Sequence, residues 1–323
     1  MKPEIRYEPL KDVRVLLAPG RQSRPIQLKF GNHDRGKEKC PFCEGRESMT
    51  PPEIWALSDD PGRKPDTPGW KIRVIPNKYP ALMPGKKPRP QFIDSIYEKM
   101  DGIGHHELVI ETPEHDMDIS DHPVEFIAEI LKVYRLRYRE LWREPSTKYV
   151  QIFRNWGPLA GASLPHPHTQ ILAMPFVPEY PQRELLAMKK RPILCEMLQK
   201  ELEHGKRIVG ETDDFVAFAP FASRFAFETW IVPREHRPDF GEADDDELLQ
   251  IAGLLKSIVT GLKRAIGEFS YNLIVHSMPD RYFHYHIEIT PRIAGLAGFE
   301  VGTGVNINTV LPEDAAWKIK SSF

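Results

Sequence analysis

The 323-residue sequence predicts an α+β fold made of two similar halves, each with a mainly antiparallel sheet and one long helix. Strand-like segments, rich in β-branched and aromatic residues, surround a single long helical pattern in each half. The order of these segments recurs along the chain, and two pairs of histidines mark the repeat. His115 and His166 are 51 residues apart, and His236 and His284 are 48 residues apart.

The first half has its elements in a simple order. Residues 70–80 have the composition of a strand, and a second strand starts at His106 and runs into a turn that carries His115. Apolar residues at helical spacing then predict a helix over 124–142. A strand at 149–153 and one further strand complete this half.

The second half repeats that order after a basic, helix-prone connector over 178–210. Its predicted elements are strands at 213–221 and 227–236, a helix at 246–266, and strands at 271–276 and 284–288. We therefore expect an N-terminal domain over residues 1–177 and a C-terminal domain over residues 178–323.

Composition excludes several classes of protein. The 44 Lys and Arg residues nearly balance the 46 Asp and Glu residues, which argues against a general affinity for nucleic acid or anionic lipid. No apolar run reaches the roughly 18 residues that span a bilayer, and the first ten residues lack the apolar core of a signal peptide. The three cysteines are too few for a disulfide framework. We expect a soluble, cytoplasmic protein.

Residues 163–170, S-L-P-H-P-H-T-Q, carry the strongest functional signal. Side chains alternate along an extended strand, so His166, His168 and Gln170 are expected on one face. The polar outer face of an ordinary strand would give the same pattern. Two neighbouring features favour a functional site. Pro167 cannot donate a hydrogen bond to a sheet, and the Gly/Ala/Ser loop that leads to Ser163 leaves room for a ligand.

Cys40 and Cys43 form a C-x-x-C pair in a polar, turn-rich segment. With two further donors, this spacing is typical of a closed tetrahedral zinc site. A redox C-x-x-C pair would instead open a helix after a strand. The corresponding elements of the repeat offer His115 and His166, so we expect a structural zinc ion held by these four residues.

The second half retains only part of this donor set. Cys195 begins the sequence C-E-M-L, in which leucine replaces the second cysteine. A second zinc or iron ion would be held by Cys195, His236 and His284, or by Glu184, His276, His284 and His286. The remaining alternative is a relic of a metal site that hydrogen bonds alone hold together.

Residues 155–170, N-W-G-P-L-A-G-A-S-L-P-H-P-H-T-Q, resemble the signature of the galactose-1-phosphate uridylyltransferases, the transferase branch of the histidine-triad superfamily. This resemblance extends over nearly the whole chain. It includes residues 9–25, C-P-F-C, V-I-P-N-K-Y-P at 74–80 and the C-terminal G-F-E-V-G-T-G-V-N. The chain is therefore identified as a member of this family. The resemblance implies two tandem histidine-triad-like domains.

The resemblance also implies a ping-pong nucleotidyl transfer in which His168 attacks phosphorus and becomes covalently attached to the nucleotide. The main-chain carbonyl of His166 would accept a hydrogen bond from the other ring nitrogen of His168, which keeps its proton. Gln170 stands where the hydrolase branch has a third histidine, and it cannot carry a proton to a leaving group or to water. By the same resemblance, phosphate and nucleotide contacts come from Arg21, Arg24, Ser163, Gln170, Asn77 and Asn155. A homodimer, in which the C-terminal segment completes the partner's site, is also implied.

The C-terminal segment departs from the family pattern. Relatives place a carboxylate and a glutamine there to hold the hexose, whereas this chain has Gly304 and Val310; the substrate-contacting Phe299 and Val301 remain. The stretch G-T-G-V-N-I-N is more similar to ADP-glucose phosphorylases, which use inorganic phosphate as the acceptor. The main hypothesis is thus a UDP-glucose–hexose-1-phosphate uridylyltransferase of galactose metabolism. An ADP-glucose phosphorylase is the alternative, and a zinc-stabilised nucleotide-binding module without catalysis is the third hypothesis.

Overall fold

The computed structural model describes residues 2–23, 37–86 and 88–323, and in these ranges it contains fifteen strands and six α-helices. The strands are β1 (Glu4–Glu8), β2 (Val13–Leu17), β3 (Trp55–Leu57), β4 (Ile72–Pro76), β5 (Gln91–Ile93), β6 (Tyr97–Lys99), β7 (His105–Ile110), β8 (Tyr149–Trp156), β9 (His168–Met174), β10 (Ile208–Glu211), β11 (Phe215–Phe218), β12 (Thr229–Pro233), β13 (Tyr271–His276), β14 (His286–Pro291) and β15 (Asn306–Asn308). The helices are α1 (Val124–Trp142), α2 (Glu179–Lys190), α3 (Ile193–His204), α4 (Asp245–Ile266), α5 (Gly298–Thr303) and α6 (Pro312–Lys320).

Ten strands form one antiparallel sheet in the order β10-β11-β12-β14-β13-β8-β9-β7-β4-β3. Strands β8 and β13 join the two halves at the centre, with Trp156 opposite Tyr271 and Ile152 opposite Val275. Outward from this joint both halves have the same order, β8-β9-β7-β4-β3 and β13-β14-β12-β11-β10. The predicted α+β repeat is therefore confirmed. The domain boundary between residues 177 and 178 stays a prediction.

The long helices α1 and α4 pack against each other and against one face of the large sheet. Leu131 of α1 and Leu255 of α4 are fully buried in the resulting core. Helix α1 has the predicted bounds. Helix α4 starts one residue before the predicted position, where the side chains of Asp244 and Glu247 form a capping box.

The opposite face of the sheet is covered differently in each half. Apolar side chains of α2 and α3, including Met188 and Leu194, cover the second half. In the first half the loop that contains Phe42 packs over Ile75 and Leu108. The candidate site lies on this face, because His168 and Gln170 alternate with Thr169, whose side chain contacts Tyr134 of α1 on the helix side.

The motif strand is shorter than predicted. Strand β9 begins at His168, and residues 163–167 follow an irregular path in which two prolines cannot donate hydrogen bonds. His166 therefore lies before the strand rather than on it. The second half repeats the feature, since β14 begins at His286 and His284 precedes it.

Two smaller sheets were not predicted. Strands β1, β2 and β15 form a three-stranded sheet in which β2 and β15 run parallel, and β5 and β6 form a hairpin. The first of these sheets brings the N-terminal segment against the C-terminal segment. Among the helices of the described ranges, none has both the length and the apolar composition needed to cross a membrane.

Candidate functional site

Four buried side chains, Cys40, Cys43, His115 and His166, meet on the face of the first half that the Phe42 loop covers, with their ligand atoms all within 4.8 Å of one another. The Sγ atom of Cys43 lies 3.3 Å from Nδ1 of His115 and 3.7 Å from Nδ1 of His166. A tetrahedral ion with bonds of 2.0 to 2.3 Å would separate neighbouring nitrogen and sulfur ligands by about 3.5 Å. The donor set therefore fits a metal ion.

The hydrogen bonding of His166 supports that fit. Its Nε2 lies 2.8 Å from the carbonyl oxygen of Thr112 and donates its proton there, so Nδ1 presents a lone pair towards Cys43. Burial lowers the pKa of His166 to about 4, which keeps the ring neutral. A neutral ring with a fixed tautomer is the form that binds a metal.

His168 is the first residue of β9 and is almost completely buried. Its Nδ1–H donates to the carbonyl oxygen of His166 at 2.8 Å, which leaves the lone pair on Nε2. Burial lowers the pKa of His168 below its ordinary value, so this nitrogen is unprotonated at neutral pH. The rings of Phe42 and His168 pack edge to face, with 5.3 Å between their centroids. The ring is thus held in one orientation, with an unprotonated Nε2 of the kind that a nucleophilic histidine requires.

A cavity of about 400 Å³ lies beside His168. Its wall combines apolar side chains with a few polar ones and includes Phe42, Ile75, Leu108, Asn77, Ser163 and Gln170. An apolar wall with a few convergent polar groups is typical of a small-molecule site. The structure therefore brings together four of the predicted residues here: His168, Gln170, Ser163 and Asn77.

The orientation of Gln170 depends on His106, a residue that the sequence analysis did not select. The Nδ1 atom of His106 accepts from the main-chain N–H of Ala81 at 3.1 Å, so its proton is on Nε2. That Nε2 lies 2.8 Å from Oε1 of Gln170 and donates to it. The NH₂ group of Gln170 is then the part available to a ligand. Alternation along β7 gives His106 and Leu108 the same face, but only the pairing of β7 with β9 places Gln170 opposite Leu108 and so within reach of His106.

Asn155 lies on β8, the strand beside β9. Phe153 of β8 pairs with Gln170 of β9. When this register is continued by two residues, Asn155 lies opposite His168 on the same face of the sheet. The side-chain NH₂ of Asn272 donates to Oδ1 of Asn155 at 2.8 Å and to the carbonyl oxygen of Ala160 at 2.9 Å. The second half thus fixes the loop that leads to Ser163.

A glycine is required at the start of that loop. Gly157 has φ of 80°, and a Cβ atom there would collide with the side chain of Ser270. The close approach lets the hydroxyl of Ser270 accept from the N–H of Leu159 at 3.3 Å. The loop between β8 and the motif is therefore packed directly against the second half.

The other predicted substrate residues lie elsewhere in the chain. Arg21 lines a cavity of about 310 Å³ that is formed mostly by second-half residues, among them Phe225 and Asn306. Phe299 and Val301, on α5, are 45% and 75% exposed. Gly304 ends α5, Val310 is buried, and Arg24 lies outside the described residues. A single chain therefore does not bring Arg21 or α5 to the cavity beside His168.

A second cysteine–histidine cluster mirrors the first. Sγ of Cys195 lies 3.6 Å from Nδ1 of His236 and 3.3 Å from Nδ1 of His284. The Nε2 atom of His284 lies 3.1 Å from the carbonyl oxygen of Pro233, and the corresponding contact of His166 with Thr112 is 2.8 Å long. This cluster offers three donors, one fewer than a closed structural site uses.

The other predicted second-half set is divided by the structure. Glu184, His276 and His286 form a buried cluster with Glu288, whereas His284 faces Cys195. The ammonium group of Lys11 lies within this cluster, 2.5 Å from Oε1 of Glu184 and 2.7 Å from Oε1 of Glu288. Burial alone lowers the pKa of Lys11, but these two carboxylates outweigh it and raise the pKa above its ordinary value. Lys11 is therefore charged.

Comparison with known proteins identifies the family. The sequence-family model of the galactose-1-phosphate uridyl transferase N-terminal domain matches residues 1–178. The family model of a domain of unknown function, DUF4921, matches residues 116–322. The ADP-glucose phosphorylase of Arabidopsis thaliana is 34% identical over 333 residues, which cover 97% of this chain and 91% of that protein. The galactose-1-phosphate uridylyltransferase of Thermotoga maritima is 30% identical over 338 residues, covering 99% and 98%.

The fold agrees with these matches. A crystal structure of an ADP-glucose phosphorylase from Arabidopsis thaliana with bound ADP-glucose superposes with a TM-score of 0.83 and 32% identity over 99% of both chains. The resemblance seen in the sequence is thereby confirmed, together with an α+β fold of two similar halves. The chain belongs to the galactose-1-phosphate uridyl transferase family and is a nucleotidyltransferase.

Proposed function

We propose that this enzyme transfers a nucleoside monophosphate, with UMP as the first candidate, from a nucleoside diphosphate sugar to a hexose 1-phosphate through a covalent nucleotidyl-His168. The orientation of His168 supports this most directly, because its Nδ1–H is bound to the carbonyl oxygen of His166 at 2.8 Å and its Nε2 carries the lone pair. Carbohydrate metabolism in the cytoplasm, with galactose 1-phosphate as one acceptor, is the setting that we propose.

In the first step Nε2 of His168 attacks the α-phosphorus of the donor. The bond from this phosphorus to the oxygen that bridges to the β-phosphate breaks, and hexose 1-phosphate leaves with the electron pair. The imidazole then carries a positive charge, which the His166 carbonyl oxygen stabilises through the Nδ1 proton. In the second step a phosphate oxygen of the acceptor attacks the same phosphorus, and the N–P bond breaks. No proton is gained or lost over the two steps.

Phosphate binding depends on hydrogen-bond donors, because phosphoryl transfer is mostly positioning and charge stabilisation. His106 occupies Oε1 of Gln170, which supports a role for the Gln170 NH₂ group as a donor to the phosphate. The hydroxyl of Ser163, in the cavity wall, is a second donor. An amide carries no titratable proton, so Gln170 neither protonates a leaving group nor activates water. This favours transfer to an acceptor over hydrolysis.

We assign zinc to the cluster of Cys40, Cys43, His115 and His166, because two thiolates and two imidazoles in a closed set are typical zinc ligands. The ion would supply a cross-link between the C-x-x-C loop and the segment before β9. His166 would then be held at its ring by the metal site and would present its carbonyl oxygen to His168.

A second candidate function is that of an ADP-glucose phosphorylase. The 34% identity to the Arabidopsis enzyme over 97% of the chain favours it, as do Gly304 and Val310 at the positions where uridylyltransferases hold the hexose. Such an enzyme would form the same His168 adduct, with AMP in place of UMP. Inorganic phosphate would then be the acceptor, and ADP would be the product.

We further propose that the enzyme acts as a homodimer. Arg21, Phe299 and Val301 lie away from the cavity beside His168 within one chain. A partner chain that contributes its α5 and its Arg21 would supply the missing phosphate and sugar contacts. The active site would then contain residues from both copies.

One experiment tests the covalent step and identifies the nucleotide. The protein is incubated with UDP-glucose or ADP-glucose without an acceptor, and its intact mass is measured. We expect an increase equal to one nucleoside monophosphate with one of the two donors, and no increase in His168→Ala. Galactose 1-phosphate, glucose 1-phosphate or phosphate is then added, and the compound that removes the adduct is the acceptor. A folded wild-type protein that forms no adduct with either donor would contradict both candidate functions.

A further inference from the structure

The cluster of Glu184, His276, His286 and Glu288, here called the carboxylate cluster, has the composition of a metal site. All four side chains are buried, and their ligand atoms lie within 4.8 Å of one another. Two carboxylates and two imidazoles suit a divalent transition metal. The cluster also borders a cavity of about 440 Å³, lined in part by Lys11, His276 and Glu288, through which an ion could reach it.

Lys11 occupies the position that a metal ion would take in this cluster. Its side chain is 0% exposed, and Nζ contacts Oε1 of Glu184 at 2.5 Å and Oε1 of Glu288 at 2.7 Å. An ion bound to both carboxylates would have to lie where this ammonium group lies. We propose that the ammonium group of Lys11 is the permanent cation of the carboxylate cluster, and that the cluster binds no metal ion while Lys11 is present.

The other oxygens of the two carboxylates are also paired. Oε2 of Glu184 lies 3.0 Å from Nδ1 of His276, and Oε2 of Glu288 lies 2.7 Å from the guanidinium of Arg224. The carboxylates thus have their partners without a divalent ion. A divalent ion added beside the ammonium group would also meet a like charge at contact distance.

The position of Lys11 is fixed by the turn that carries it. Lys11 lies between β1 and β2, and the carboxylate of Glu8 accepts from the N–H of Leu10 and from the N–H of Lys11, both at 2.8 Å. The ring of Trp230 lies 5.3 Å from Nζ and adds a cation–π contact. These contacts hold the ammonium group in the cluster, so the N-terminal hairpin is tied to the sheet of the second half.

The two histidines remain able to bind a metal if Lys11 is removed. Their rings are stacked with centroids 4.6 Å apart. Within the described residues, Nε2 of His276 and Nε2 of His286 make no hydrogen bond, and they face Glu288 at 3.4 Å and 3.7 Å. Substitution of Lys11 by a neutral side chain of similar length should therefore convert the cluster into a metal site.

The test compares zinc content between variants of the full chain. Wild type, Lys11→Met, His276→Gln and the double variant Lys11→Met/His276→Gln are loaded with excess zinc and passed through a desalting column. Zinc per chain is then measured by mass spectrometry. We expect Lys11→Met to hold one more zinc ion per chain than wild type. The double variant, with one imidazole fewer, should return to the wild-type value.

His276→Gln in the wild-type background tests the native cluster and leaves both contacts of Lys11 in place. We expect its zinc content to equal that of wild type, and loss of one zinc ion would overturn the proposal. A folded Lys11→Met protein with no additional zinc would overturn it as well. Because Lys11→Met leaves two buried carboxylates without their cation, its folding is followed by circular dichroism. If it unfolds without metal, zinc should restore the native spectrum, and failure of zinc to do so counts against the proposal.

Cobalt provides a second measurement that separates the metal sites. Cobalt bound by cysteine gives thiolate charge-transfer absorption, whereas the four side chains of the carboxylate cluster contain no sulfur and the Lys11→Met variant adds a thioether rather than a thiolate. Lys11→Met should therefore bind one additional cobalt ion without additional charge-transfer absorption. An increase in that absorption would locate the extra ion at Cys195 and would overturn the proposal. None of these measurements uses activity, so their outcome is independent of the proposed nucleotidyl transfer.

Discussion

Nδ1 of His168 lies 2.8 Å from the main-chain oxygen of His166, and the same contact recurs in the second half between His286 and His284 at 3.3 Å. In each pair the first histidine faces a cysteine through its own Nδ1. The second histidine of the first half lines a cavity beside Gln170, whereas His286 is buried against Glu288. The same backbone contact therefore orients a histidine beside a cavity in one half and a histidine against a buried carboxylate in the other.

His168→Gln should abolish the nucleotidyl adduct and lower turnover by more than about 10³-fold, because the nucleophile is lost. Intact mass and steady-state kinetics measure the two effects. His286→Gln is the matched control, since it changes the corresponding histidine of the second half, and it should still form the adduct. An adduct on His168→Gln would contradict the assignment of His168 as the nucleophile. Loss of the adduct in His286→Gln alone would instead assign the nucleophile to the second half.

His106→Ala should lower kcat by about 10-fold with little change in KM, because Gln170 loses the hydrogen bond that orients it. Gln170→Ala should cost more, about 10² in kcat, since a donor to the phosphate is lost. The double variant should be no slower than Gln170→Ala alone, because His106 acts through Gln170. Additive losses in the double-mutant cycle would show that His106 acts independently.

Gln170→His should convert part of the transfer activity into hydrolysis. An imidazole at this position can accept a proton from water, which the amide cannot do. The measurement is the rate at which the adduct disappears without an acceptor, and we expect it to rise. Gln170→Asn, which keeps an amide, is the control and should leave adduct hydrolysis slow. Equal hydrolysis in the two variants would remove the argument that Gln170 discriminates against water.

Cys43→Ser should lose the metal of the first cluster and destabilise the fold. A ligand present at 100 times its Kd stabilises the folded state by about 3 kcal/mol, and at least that much should be lost. Metal analysis and urea unfolding check this. Lys39→Ala is the control, because Lys39 is exposed in the same loop and contributes no ligand. Full metal content in Cys43→Ser would contradict the assigned ligand set.

Acid should destabilise the protein through Asp118. Burial alone raises the pKa of this carboxyl, but Arg154 and Lys263 outweigh burial and hold the pKa below its ordinary value. The folded-state pKa is thus lower than the unfolded one. The stabilisation is therefore present above the unfolded pKa of about 4 and is lost as the pH falls through the folded pKa. Urea unfolding between pH 3 and 7 measures it.

Asp118→Asn removes this contribution. At pH 7 the variant should lose about 3–5 kcal/mol, because Arg154 is left with one carboxylate fewer in a fully buried site. Its stability should also change less than that of wild type between pH 5 and 3. The exposed Glu268, changed to Gln, is the control and should retain the wild-type profile. If the stability of Asp118→Asn fell with pH as steeply as that of wild type, the acid destabilisation would come from other groups.

The proposal that two chains share each active site can be tested by mixing two inactive variants. Arg21→Ala and His168→Ala should each be inactive, and hybrid dimers should contain one site with an intact His168 and an intact partner Arg21. Random mixing makes half of the dimers hybrids, so about one quarter of the wild-type activity should return. Mixing that restores no activity, although hybrids are detected by native mass spectrometry, would place Arg21 and His168 in the same chain's site.

Much of the fold was predictable because its signals are local. The helix over 124–142 and the strand over 271–276 have the predicted bounds, since helical and strand periodicity extend over the whole of each element. The start of β9 was not predicted correctly. The alternation rule assumes an extended backbone, and it gives no account of a segment in which two prolines interrupt the hydrogen bonding.

The functional residues also divide into those with a local sequence signal and those whose contacts are distant in the sequence. Cys40, Cys43, His115 and His166 were grouped from spacing and from the repeat, and the structure places them together. Lys11 could not be grouped with Glu184, because 173 residues separate them and no pattern links a turn lysine to a distant helix. His106 was missed for a related reason, since its role depends on which strand lies beside β7.

The joint between β8 and β13 has a consequence for any attempt to separate the two halves. The outermost strands of the large sheet, β3 and β10, are only three and four residues long, and such short edges offer little backbone to another chain. Strand β8 has eight residues, and in the intact chain β13 covers it. A chain cut after residue 177 would leave β8 as an open edge, with the backbone groups that bond to β13 in the intact chain unpaired. Such a fragment is expected to self-associate through this edge. The covalent link between the two halves therefore protects against aggregation, because it keeps β13 paired with β8.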